Sequence, residues 1–253
     1  MTREEYRAHP ALNFSRAKWL AVSPAHFKAH CDEVIEESPA MLLGTLTHAL
    51  VLEGTPISDL AVVRPEGMNF VSKEGKAWKA EQTLPIITEE DLRAINGMAE
   101  SVMANTYARS LLDACTIREK PLFGTLYGVE IKGLIDACGC NADGRWAILD
   151  LKTTNDSSPK KWQWLIADED RQYGLQAAWY MALLGLAEQL EEEPEFFWLA
   201  VEKKPPYTCV VHQIGGDKLR AAKDLLEQVL TSYITCTESN QYQQPYQGIH
   251  LHE

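Results

Sequence analysis

The chain has 253 residues, 45% of them hydrophobic and 24% charged, the balance of a globular protein able to bury one sizeable core. Its formal net charge of -12 excludes nucleic-acid binding through an overall basic surface, because phosphate affinity comes mainly from Lys and Arg; a local basic groove, or carboxylates that hold cations, remain compatible with it. No apolar run reaches about eighteen residues, and the start MTREEYRAHPALNF lacks the basic and apolar pattern of a signal peptide, so the expectation is a cytoplasmic protein that makes no membrane contact.

In chain order, the N-terminal region reads as helical. Three serines stand where N-caps belong: Ser15 before RAKWLAV, Ser23-Pro24 before AHFKAHC, and Ser38-Pro39 before AMLLGTLTHALVLE. Residues 55 to 87, with several Pro and Gly, read mostly as loop with one small helix in SKEGKAWKAEQ. Thr88 to Asp91 resembles a capping box with Asp in place of Glu, opening a helix that reaches about Ala114. From Thr116 the runs TIREKPLF, LYGVEIKGLIDACGC and RWAILDLKTT are rich in β-branched and aromatic residues and read as an antiparallel meander. Helical spacing returns over residues 171 to 187, EFFWLAVEKK and YTCVVHQI read as strands, and DKLRAAKDLLEQVLTSYI reads as an amphipathic helix. The Gln- and Tyr-rich tail from Thr237 has no clear period. Six cysteines lie without framework spacing, so reduced thiols are expected, and Cys138-Gly-Cys140 alone makes a poor metal site.

One hairpin carries chemistry. Asp150 and Lys152 are two apart on a predicted strand, so they share a face, with Ile148 before them. A loop Ala142-Asp143-Gly144, with Gly144 in the left-handed conformation, would pair Asn141 with Arg145. Continued, that register sets Asp136 opposite Asp150. Opposed residues have Cβ atoms about 4.5 to 5.5 Å apart, and two carboxylates at that spacing repel unless a cation lies between them. Magnesium suits the gap, since it takes a few carboxylates and keeps waters for a substrate. Lys152 beside it would orient or help deprotonate a water and offset phosphate charge.

Further residues gather by spacing. Gly44 and His48 share a helix face, as do Gln176 and Tyr180, each pair being four apart. Glu119, in REKPLF, could add a third carboxylate. Singly each has an ordinary explanation as a core or surface residue. In order, however, Gly44-Thr45-Leu46-Thr47-His48, Gly133-Leu134-Ile135-Asp136, Asp150-Leu151-Lys152 and Gln176-Ala177-Ala178-Trp179-Tyr180 resemble the GxxxH, GxxD, (D/E)xK and QxxxY series of the RecB-like branch of PD-(D/E)XK nucleases. Within that branch, SRAKWLAVSPAHFKAH followed by LGTLTHALVLE is similar to the nuclease domain of RecE-type exonucleases (exonuclease VIII).

The resemblance implies an α/β (α+β) fold, a restriction-endonuclease-like core with a central mixed sheet flanked by helices. It implies a single nuclease domain over residues 1–253: 1–114 mostly helical, 115–236 the catalytic core, 237–253 a tail. It implies a magnesium-dependent 5′-to-3′ exodeoxyribonuclease, with manganese able to substitute, degrading double-stranded DNA from its ends for phage or prophage recombination. The implied partners are a RecT-like single-strand annealing protein and further copies in a ring-shaped homo-oligomer. By position, His48, Asp136 and Asp150 would be metal ligands and Lys152 the catalytic lysine. Gln176 and Tyr180 would support the site or touch the DNA backbone, with Glu119 near the attacking water. Arg16, Lys18, Lys76, Lys79, Lys160 and Lys161 flank the motifs as candidate DNA contacts. The rival readings are another RecB-like nuclease, endonuclease or single-strand exonuclease, and a catalytically silent DNA-end-binding module.

Overall fold

The computed structural model of the chain describes residues 2–31, 38–140, 144–167 and 172–244. Helix α1 (Arg3–Ala8) opens with a capping box of Thr2 and Glu5 and leads to the two-residue strand β1 (Leu12–Asn13). Helix α2 (Phe14–Val22) starts at Asn13, not at Ser15 as expected. The Asn13 side chain accepts the Arg16 N–H, and pairing with the sheet keeps Asn13 in the extended backbone an N-cap needs. Helix α3 (Pro24–Cys31) starts on Ser23, whose hydroxyl accepts the His26 N–H, and α4 (Pro39–His48) starts on Ser38.

Immediately after His48 the helix widens into one π turn, Ala49–Glu53, closed by Gly54 at φ +67. The stretch expected to be mostly loop contains more order: β2 (Val62–Val63), α5 (Lys73–Glu81) and β3 (Ile86–Ile87), with β2 and β3 paired in parallel. Thr88 and Asp91 do form a capping box for α6 (Glu89–Ala104). The helix expected to reach Ala114 breaks at Asn105, however, and α7 (Thr106–Ala114) follows. Asn105 accepts the N–H groups of Tyr107 and Ala108 and donates to the Cys209 carbonyl, so its extended backbone is held from outside the helix.

Then come β4 (Ile117–Leu126), β5 (Val129–Cys140), β6 (Trp146–Thr154), α8 (Pro159–Leu165), α9 (Tyr173–Glu188), β7 (Glu195–Glu202), β8 (Cys209–Gln213) and α10 (Gly216–Ser239). The antiparallel meander β4–β5–β6 is present, and β7 returns parallel to β6 after the α8–α9 crossover, while β8 pairs antiparallel to β7. The sheet is therefore mixed. Helices cover both faces: Ile148, Phe196 and Trp198 pack with Trp179 and Leu183 of α9 and Leu230 of α10, whereas Leu149, Leu151 and Val201 pack with Met98 and Val102 of α6 and Leu112 of α7. All six cysteines are free thiols.

The β5–β6 register is the expected one, Cys140 with Trp146 through to Ala137 with Leu149, and Gly144 sits at φ +81. Residues 141–143, and with them the expected Asn141–Arg145 pair, lie outside the described residues. Gly133 shows why its position excludes a side chain. A Cβ there would lie 2.8 Å from Leu183 Cδ1 and 2.9 Å from Tyr180 Cε1. Gly133→Val is therefore expected to lower stability by about 1–3 kcal/mol, the usual range for overpacking, measured by urea unfolding. An unchanged midpoint would show that α9 moves away without cost.

Candidate metal and nuclease site

Strand β5 has a divided edge. Near one end it pairs with β6, as far as Ala137 and Leu149; near the other, Ile131 and Lys132 pair with β1. Strands β5 and β6 separate just before Asp136 would face Asp150. In the gap, Asp136 Oδ2 accepts the Leu151 N–H at 2.9 Å, replacing a ladder bond with a side-chain one. On the opposite edge, Arg118–Ala137 and Lys120–Ile135 are paired, and Glu119, between them, has φ +47. A left-handed residue inside a strand costs about 1–3 kcal/mol and, in a well-packed sheet, marks a functional position.

His48 arrives from the end of α4. Its Nε2 lies 2.6 Å from the Leu151 carbonyl, which can only accept, so Nε2 carries a proton and, in the neutral ring, Nδ1 holds the lone pair. That Nδ1 stands 3.4 Å from Asp136 Oδ2. One donor atom each from His48, Glu119 and Asp136 falls within 4.8 Å of the others. An imidazole lone pair and two carboxylates converging in this way repel one another unless a cation joins them, and an N/O donor set suits a divalent metal. The residues thus fit the metal that the motifs imply. The orienting bond from Nε2 to a carbonyl is the usual companion of a ligating histidine.

Asp150, expected to be a ligand beside His48 and Asp136, lies close enough for both to act on its carboxyl. It is 2% exposed, its Oδ1 accepts from Gln176 Nε2 at 2.9 Å, and Lys152 Nζ lies 2.6 Å from its Oδ2. The Lys152 ion pair is the one contact of Oδ2 among the described residues, so this oxygen keeps lone-pair capacity. Glu119, expected as a third carboxylate near the attacking water, stands in the cluster with His48 and Asp136. Burial pushes the Asp150 carboxyl up to about 6 against the lowering effect of Lys152, with Asp136 adding to the rise. For Lys152, burial lowers the value, but Asp150, Asp136 and Tyr173 outweigh it and hold it above its ordinary level. At neutral pH both groups are charged, which favours Lys152 as a cation over Lys152 as a base.

Gln176 is buried and hydrogen-bonds both Asp150 and Tyr180, so it braces the carboxylate, and it also lines an adjoining cleft that Lys152 shares. Burial, then Asp150 and Asp136, push the Tyr180 phenol well up, so it stays neutral. The cleft over this cluster, about 750 Å³, is walled by α1 residues Tyr6 and Arg7, by Gly44 and His48 of α4, and by Glu119, Asp136 and Lys152. Sequence reading missed the α1 wall. The strand residue that holds it was in view: Lys132 is buried and its Nζ lies 2.6 Å from both the Tyr6 and His9 carbonyls, with burial lowering its pKa.

Of the expected DNA contacts, Lys18 and Lys161 line an adjoining cleft that also includes Lys152. Arg16 is occupied with the Cys31 carbonyl at 3.0 Å, bridging α2 and α3. Lys79 lies over the Phe70 ring, and neither it nor Lys76 lines either cleft; nor does Lys160. Among the described residues no helix is long and apolar enough to cross a membrane.

A family model described as a PDDEXK-like domain of unknown function (DUF3799) matches residues 13–247. A crystal structure described as a "putative exonuclease" from Eubacterium rectale is similar at 15% identity and TM-score 0.63, covering 98% of this chain and 96% of that one. The structure of SSO0001 aligns at 16% identity over 76% of this chain and 86% of that one, with a TM-score of 0.33 that carries no weight. No curated protein matches the sequence.

Proposed function

Because the chain belongs to the family of PDDEXK-like domains, we propose that it is a divalent-metal-dependent nuclease, and more narrowly an exodeoxyribonuclease acting on ends of double-stranded DNA with 5′-to-3′ polarity. The observation that carries the reading is the convergence of His48, Glu119 and Asp136 in one cleft with the Asp150–Lys152 pair. The exonuclease choice draws on the RecE-type motif order and on the fold shared with the Eubacterium rectale protein.

Magnesium bound by His48, Glu119 and Asp136, with Asp150 adjacent, would supply Lewis-acid activation of water and of the scissile phosphate. The chain's own groups do the rest. The Leu151 carbonyl holds the His48 ring by Nε2, which turns Nδ1 toward Asp136 and the cleft. Lys152, held at Asp150, presents an ammonium that offsets charge developing on the phosphate. Gln176 stops Asp150 from rotating away. The α1 wall narrows access from one side. The annealing partner and the ring-shaped assembly belong to the same proposal.

The test uses linear duplex labelled at either 5′ or 3′ end, incubated with magnesium or with EDTA, beside a covalently closed circle. Magnesium-dependent release from linear duplex with the circle untouched is expected, 5′ label first. Absence of magnesium-dependent release would overturn the nuclease reading, and cutting of the circle would replace exonuclease by endonuclease.

A further inference from the structure

The cleft holding His48 and Asp136 meets a second cleft of about 740 Å³ at Lys152, which lines both. The second one reverses the sign of the molecule. Among the described residues, Lys18, Lys152, Lys161 and Lys203 line it against a single carboxylate, Asp156, in a chain whose formal charge is -12. Its rim holds an unusual residue. Helix α8 turns Trp162 and Leu165 into the core and leaves Trp164, in the sequence WQWL, 58% exposed. Lys161 Nζ stands 4.0 Å from the Trp164 ring centroid.

An exposed indole with one ammonium at its ring and further lysines along the same cleft fits a ligand that is planar and apolar on its face and anionic along its edge. A nucleotide has both properties: the base stacks on the ring while the phosphate meets lysine. Inside a duplex both faces of every base are covered by neighbours, so a ring of this kind selects unpaired bases. We propose that Trp164, with Lys161 beside it and Lys18 in the same cleft, is a stacking platform for unpaired nucleotides of a DNA strand that continues to Lys152. The inference rests on the nuclease reading and adds to it: the enzyme engages DNA with a short single-stranded stretch at the site, seated on α8.

The test measures binding without hydrolysis, by fluorescence anisotropy of a labelled phosphorothioate oligothymidylate in calcium, with a blunt-ended duplex as the second probe. Trp164→Ala is expected to weaken oligothymidylate binding roughly 5- to 150-fold, the range one stacked base carries, and Trp164→Phe to retain most of the affinity. Lys161→Met should give a smaller loss and a shallower salt dependence. Binding of the blunt duplex, whose end must first be opened to reach the ring, should fall by less than that of oligothymidylate. Failure of the wild type to bind oligothymidylate, equal affinity in Trp164→Ala, or an equal loss on the blunt duplex would each overturn the platform. So would a changed sedimentation mass of Trp164→Ala, which would reassign the ring to a contact between copies of the chain. Because no bond is broken in this assay, its outcome is separate from that of the end-label assay, which alone decides the nuclease reading.

Discussion

Lys152→Met is expected to be among the most destabilising single changes in this protein, and its cost should grow with pH. The substitution keeps the length of the side chain but leaves Asp150, 2% exposed, without its cation. Breaking a buried pair by removing one partner costs about 3–5 kcal/mol, because the remaining charge has neither water nor counter-ion. The size depends on protonation. The Asp150 carboxyl already sits at about 6 through burial, and losing Lys152, which lowers it, raises it further. A folded-state value above the unfolded one means that the native state holds the proton longer. The penalty is absent where both states are protonated, below about pH 4, and grows as pH rises through the folded value. Urea unfolding in EDTA at pH 4 and pH 8 should give a small and a large deficit respectively, and Asp150→Asn combined with Lys152→Met should recover most of the loss. A deficit independent of pH, or one that the double variant does not reduce, would show that Lys152 acts through packing.

Asp136→Asn is expected to abolish catalysis while sparing the fold. The amide oxygen can still accept the Leu151 N–H, so the strand junction keeps its bond. What disappears is the charge beside His48 Nδ1 and Glu119. Metal-assisted charge stabilisation is worth several kcal/mol in the transition state, and at 1.36 kcal/mol per decade its loss corresponds to a roughly 1000-fold or greater fall in rate. Relief of repulsion among the clustered carboxylates should leave stability in EDTA equal to or above that of the wild type. Nucleotide release, manganese binding by calorimetry and thermal unfolding on one sample check all three statements. Activity within tenfold of the wild type would remove Asp136 from the metal site.

The hairpin was readable from sequence because period-two alternation and one glycine determine its register, and Cys140–Trp146 pairing follows from both. The four motifs likewise lead to one cleft or its supports. Glu119 was harder to place. Strand alternation presumes extended backbone, and φ +47 at this residue suspends the rule that would say which way its side chain points. The break at Asn105 depends on the Cys209 carbonyl, 104 residues away, and no local signal carries that distance. Strands β1, β2 and β3 have two residues each, too short for a period, and exist through what they pair with. The lysines sorted by neighbours, not by motif proximity: Lys161 stands beside Trp164, while Lys79 is spent on Phe70.

Leu151 belongs to the core by side chain and to the site by main chain, since its N–H serves Asp136 and its carbonyl serves His48. A main-chain role of this kind is invisible to side-chain scanning: Ile or Met at the position would report only on packing, and a sequence comparison would score it as an interchangeable apolar residue. The main chain of this one residue orients two of the three converging donors whichever apolar side chain fits the core there, so the geometry of the cluster is inherited through the strand and not through a letter of the sequence.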